Sequence, residues 1–107
     1  MRTLKELAES SGRVWFYINN EALGHAFMTQ AAEEGFHWAN GKPMGKSSWN
    51  YAMAIRADMS LWNVSLYVWM LSFRGAIEGT PIRVDYEKYV SGCEDYFCHE
   101  SHFKGTV

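Results

Sequence analysis

The densest run of chemically capable side chains is "CEDYFCHESH", residues 93–102. Cys93, Cys98, His99 and His102 are zinc-ligand types, spaced C-x4-C-H-x2-H. Adjacent Cys98 and His99 converge poorly on one ion, and the paired spacings C-x2-C and H-x3-H are missing. The reading is no metal: incidental Cys and His on a tail over 93–107 that either moves freely or packs on the body.

A second set lies in "FHWANGKPMGKSSW", residues 36–49. Asn40, Lys42 and Lys46 offer an amide and two ammonium groups to a phosphate, and Trp38 and Trp49 offer ring faces to a base. "GKS" at 45–47 keeps only the last three letters of the Walker loop. The plain alternative is a solvated loop whose tryptophans anchor it to the core. A third set is Trp15, Tyr17, Tyr67, Trp69 and Arg83. Strand periodicity puts these on one sheet face, where rings and a guanidinium stack bases, meet a partner protein, or lie under the tail or a second copy of the chain. The expected ligand contacts are Trp38, Asn40, Lys42, Lys46, Trp49 and Arg83; the expected interface residues are Trp15, Tyr17, Tyr67 and Trp69. No Ser-His-Asp or Cys-His set is readable, since His25, His37, His99 and His102 are scattered. The chain reads as a non-enzyme without a cofactor.

Local patterns set the elements that must hold these groups. "TLKELAES" reads as a short helix with Thr3 as N-cap and Gly12 as its stop. "RVWFYI" is a strand, with Val14, Phe16 and Ile18 opposite Trp15 and Tyr17. "EALGHAFMTQAAEEG" is a helix capped by Asn19 or Asn20 and closed by Gly35. Its Glu33-Glu34 pair sits at the unfavourable end of the helix dipole. "WNYAMAIRAD" and "LWNVSLYVWMLSF" read as an antiparallel hairpin joined at "ADMS", "PIRVDY" as a further strand, and "EKYVSG" as a helical turn. The fold class is α+β: a mainly antiparallel sheet of about four strands with two helices packed on one face. That face takes Val14, Phe16, Ile18, Val64, Leu66, Val68, Ile82 and Val84; the other shows Trp15, Tyr17, Asn63, Ser65, Tyr67, Trp69 and Arg83.

With 107 residues, 48% hydrophobic and 21% charged, the chain is long enough for one core, so a single domain over 1–107 is expected. A net charge of -2 speaks against general nucleic-acid binding. "MRTLKELAES" lacks the apolar core of a signal peptide, no apolar run reaches membrane-spanning length, and two cysteines make no disulfide framework. A cytoplasmic protein follows.

Three segments are familiar together: "VWFYINNEALGHAFMTQAAEEGFHWANGKPM", "MAIRADMSLWNVSLYVWM" and "IRVDYEKYVSGCEDYF". Over roughly residues 3 to 97 their order resembles small, largely uncharacterised proteins of bacteriophages and mobile elements of Firmicutes. Those proteins end in a "VRVDYxKYxxGxxDY"-like motif; this chain has Ile82 in first place and Cys93 after the glycine. The resemblance implies a phage-borne accessory protein in the host bacterial cytoplasm, acting against host defence, and carries no catalytic residues. Joined to the ring excess beside Lys42, Lys46, Arg56 and Arg83, it gives the expected function: sequestration of a small nucleotide immune signal by a homo-oligomer. The alternative is a protein-binding inhibitor of a defence enzyme or CRISPR effector.

Overall fold

The computed structural model describes residues 2–39, 41, 49–72 and 81–98. Asn40, Lys42, Lys46, His99 and His102 therefore lie outside the described residues.

Thr3 is extended and its hydroxyl accepts the Glu6 N–H at 3.1 Å, starting α1 (Leu4–Ser11); Gly12, at φ 80°, ends it. β1 (Arg13–Tyr17) follows, then α2 (Glu21–Glu34), whose N-cap Asn20 accepts the Leu23 N–H at 2.9 Å. Gly35 takes the left-handed conformation at φ 94° and closes α2, as the sequence predicts. Gly24 has a separate reason to lie mid-helix. A Cβ there would sit 2.7 Å from Trp49 Cε3, so the missing side chain is the seat of the Trp49 indole.

β2 (His37–Trp38) is a short strand inside the expected loop. β3 (Ala52–Arg56) and β4 (Ser60–Asn63) form the expected hairpin. Asp58 Oδ1 accepts both the Ser60 N–H (3.0 Å) and its hydroxyl (2.6 Å), and these bonds hold the Asp58 carboxyl below the ordinary range. They pin a turn in which Met59 takes φ 71°, a conformation costing on the order of 1 kcal/mol for a side chain of that size.

The long strand expected over 61–73 does not form. β4 stops at Asn63, and α3 (Leu66–Ser72) begins two residues later. The Val64 N–H still donates to Ala52 O, and Asn50 Nδ2 donates to Val64 O, so the chain stays tied to β3 as it turns. Ser65 Oγ then accepts the Val68 N–H at 3.1 Å, the N-cap bond that starts a helix. Apolar β-formers in that run outweighed a single serine in the pattern reading; the capping bond and burial of Trp69 decided it. β5 (Ile82–Asp85) and α4 (Tyr86–Val90) complete the order, with Asp85 Oδ1 accepting the Lys88 N–H as N-cap.

The sheet has five strands in the order β2-β4-β3-β1-β5. The α+β class stands, but the sheet is mixed: β1–β3 and β3–β4 are antiparallel, β1–β5 and β2–β4 parallel. Nor are there two helices on one face. α1, α2 and α4 bury residues in the larger core, while Trp69 of α3 belongs to a smaller core across the sheet. The larger core joins Val14, Phe16, Met53, Ile55, Leu61 and Val84 to Leu4, Phe27, Tyr86 and Tyr89. Phe16 centres its ring contacts, 5.4 Å from Phe27 and 6.0 Å from Tyr86.

The dipole conflict at the end of α2 is resolved in three dimensions. Glu34 reaches the start of α1, where its carboxylate accepts the Leu4 N–H (3.1 Å), the Lys5 N–H (2.8 Å) and Gln30 Nε2 (2.8 Å). The acid that is misplaced on its own helix caps another. Gln30 also donates to Arg2 O and accepts the Tyr86 hydroxyl at 2.7 Å, and the Tyr89 hydroxyl donates to Thr3 O at 2.6 Å. α1, α2 and α4 are thus locked together at one end.

Candidate binding face

Side chains alternate along a strand, so Arg13, Trp15 and Tyr17 leave β1 on the face away from the larger core. Register then fixes their neighbours. Arg83, Trp15, Ala54 and Trp62 form one row across β5, β1, β3 and β4. Tyr17 stands between Asp85 and Ala52, and Arg13 stands directly opposite Arg56.

Ala52 and Ala54 leave the volume that the tryptophans occupy. Trp69 descends from α3 onto this floor, stacked on Trp15 at 6.1 Å and tilted against Tyr17 at 6.4 Å. Trp15 is 4% exposed and Trp69 0%, so neither offers a ring face to a ligand. Cys98 closes the same cluster: its N–H donates to Arg83 O at 2.9 Å, and burial, with Asp85 nearby, pushes its thiol up to about 12. Arg83 Nη1 donates to Ser72 O and Ser72 Oγ, both at 3.2 Å, placing a cation at the C-terminal end of α3. Burial lowers the Arg83 pKa from its ordinary value. Burial, then Asp85, raises that of Tyr17, whose hydroxyl donates to Asn19 Oδ1 at 3.3 Å.

Among the described residues, the cover of this face is α3 with Cys98. Four of the expected residues, Trp15, Tyr17, Trp69 and Arg83, do come together, but mainly under that cover. Tyr67 does not join them: it lies on α3 and is 70% exposed. The face assignments of Ile82, Val84, Arg83 and Trp69 hold, but those of Val64 and Val68 do not. Trp62 pairs with Ala54, and Val64 is buried with Trp15 and Trp69, not under the larger helices; Val68 is exposed. A one-residue slip in pairing turns every side chain to the opposite face.

Trp38 pairs with Leu61 and packs against the larger core. Trp49 lies on Gly24 of α2, edge-on to Tyr51 at 5.0 Å. The two ring faces expected of the loop thus serve packing on the opposite side of the sheet from Trp62. Cys93 is exposed and Cys98 buried, and among the described residues no three metal-ligating side chains cluster.

Arg13, Arg56 and Trp62 meet at one corner of the second face. Arg56 is exposed, and its guanidinium carbon lies 4.7 Å from the Trp62 ring centroid; Trp62 and Arg13 are half-buried. Two guanidinium side chains directly opposite one another repel. The Arg56 guanidinium over the Trp62 ring makes a flat surface beside them. Sequence reasoning missed Arg13 and Trp62. Arg13 sits two residues before Trp15, a same-face spacing that was readable; Trp62 was hidden by the register slip.

No family model matches this chain, and no curated protein or solved structure shows significant similarity to it. Among the described residues no helix is long and apolar enough to cross a membrane.

Proposed function

We propose that this chain is a non-enzymatic binding protein that antagonises host antiviral defence by sequestering an anionic nucleotide signal at the Arg13–Arg56–Trp62 corner. The observation that carries the reading is the cross-strand Arg13–Arg56 pair beside a tryptophan already stacked with one of its guanidinium groups. Phosphate oxygens suit the arginine fork, and a base suits the ring plane. The phage-protein resemblance of the sequence supplies the biological setting. Asn40, Lys42 and Lys46 belong to the proposal through their phosphate-binding chemistry alone. An open corner encloses little of a ligand, so a homo-oligomer in which two corners face one nucleotide fits the reading better than a monomer.

A thermal-shift panel of cyclic di- and trinucleotides and ADP-ribose products tests this. The matching nucleotide, at a hundredfold excess over its Kd, stabilises the native state by about 2.7 kcal/mol. Arg56→Ala and Trp62→Ala abolish the shift and leave the ligand-free melting point within a few degrees. The ligand is recovered intact after heating; a chemically altered product would mean an enzyme, and no shift across the panel rejects the reading.

One observation favours a second reading, the protein-binding inhibitor. Tyr67 and Val68 present adjacent apolar surface on α3, 70% and 36% exposed. A complex captured from host lysate and lost on Tyr67→Ala, with melting unchanged, would decide for it.

A further inference from the structure

On the far side of the sheet from that corner, a cleft of about 230 Å³ opens between α1 and the C-terminal segment, lined by Arg2, Glu6, Leu7, Ser10, Tyr89 and Tyr96. Arg2 is held there by hydrogen bonds and ring contacts. Its Nη1 donates to Tyr89 O at 3.2 Å and Cys93 O at 2.8 Å. Its guanidinium carbon lies 5.4 Å from the Tyr89 ring centroid and 5.0 Å from that of Tyr96. The rings meet edge to face at 5.1 Å, forming a platform that fixes the cation.

Glu6 lines the same cleft, yet the ion pairs among the described residues are Lys5–Glu9 and His25–Glu21. Arg2 and Glu6 thus present opposite charges to one small cavity without closing on each other. The ring platform and two carbonyls restrain the guanidinium. A molecule carrying both charges would meet an opposite charge on each wall of the cleft. Leu7 supplies an apolar wall and the Tyr96 ring a second one.

We infer that this cleft is a binding site for a small zwitterion of the α-amino-acid type. Its carboxylate pairs with the Nε–Nη2 edge of the Arg2 guanidinium, its ammonium with Glu6, and its side chain lies against Leu7 and Tyr96. The fork of the guanidinium matches a carboxylate in two parallel hydrogen bonds, which a single ammonium could not do. The site is independent of the nucleotide corner, and either can fail without the other.

The test is an NMR titration of the intact chain, following amides of α1 and of Tyr96 with L-alanine, acetate, methylammonium and inorganic phosphate as separate probes. L-alanine produces saturable shifts in the millimolar range, and acetate and methylammonium each bind about tenfold more weakly. Glu6→Gln, on an exposed helix position, lowers L-alanine affinity about tenfold and leaves acetate unchanged. Arg2→Gln abolishes both; should it also unfold the chain, the Glu6→Gln result decides alone. No saturable shift with L-alanine, equal affinity for acetate and L-alanine, or tighter binding of phosphate that ignores Glu6→Gln overturns the assignment.

Discussion

The two faces of the sheet are built differently. The larger-core face carries three helices, with Phe16, Phe27 and Tyr86 in mutual ring contact and Glu34, Gln30, Tyr86 and Tyr89 tying the helices together by hydrogen bonds. Among the described residues the other face has one seven-residue helix, held by Trp69 against Trp15 and by Arg83 at its last turn. Isolated helices of that length are unstable in water, so α3 exists because Trp69 is buried. The first face is the body of the fold. The second is a thin cover over tryptophans, with arginines at its margin.

That contrast can be broken by matched substitutions. Phe16→Ala should cost about 3–5 kcal/mol and lower protection everywhere, measured by urea denaturation with amide exchange. Trp69→Ala should cost less, about 2 kcal/mol, because the loss is capped by opening α3 alone. Amides of 66–72 should then exchange faster while those of β1 stay protected. If β1 loses protection equally, the faces are one cooperative unit and the contrast fails.

A smaller effect tests the locked end of the first face. Glu34→Gln replaces the carboxylate that receives the Leu4 and Lys5 N–H groups, and should cost about 1 kcal/mol, with exchange in α1 rising first. An unchanged urea midpoint would mean that α1 is held by Leu4 and Leu7 alone.

A further test is one of pH and involves both faces. Burial first pushes the Cys98 thiol up to about 12 from 9.0, and the Tyr86 and Tyr89 hydroxyls up to about 12 from 10.0. Each group holds its proton more tightly folded than unfolded. The associated stability is complete below the unfolded pKa values and is lost as pH climbs through 9 to 12. Urea midpoints should fall across that window. In Cys98→Ala the fall should begin about one pH unit later, where the tyrosines start to titrate; an identical onset would mean that the thiol does not contribute.

Much of the fold was legible because its signals are local. Thr3, Asn20 and Gly35 act within one helical turn, and the alternation Val14-Trp15-Phe16-Tyr17 needs only strand geometry. β2 was not legible, because two residues carry no period and pair in parallel with a distant strand. The end of β4 was misread because Val, Leu, Tyr and Trp serve strand and helix alike, and only the Ser65 cap marked the change. The candidate corner was half legible: Arg56 and Arg83 were noted, but Arg83 is occupied by α3, and Trp62 was not singled out.

The sequence by itself determined that the chain forms an α+β fold, where its first two helices begin and end, and that it carries more rings than one face can bury. It could do so because capping, turn glycines and periodicity are properties of a few neighbouring residues. Tertiary structure alone decided which rings are hidden and which cations remain at the surface. Those outcomes depend on strand register, on a helix nucleated over Trp15, and on a glutamate at the end of one helix finding the start of another. Each joins residues remote in the chain, and a single-residue shift in pairing reverses the result.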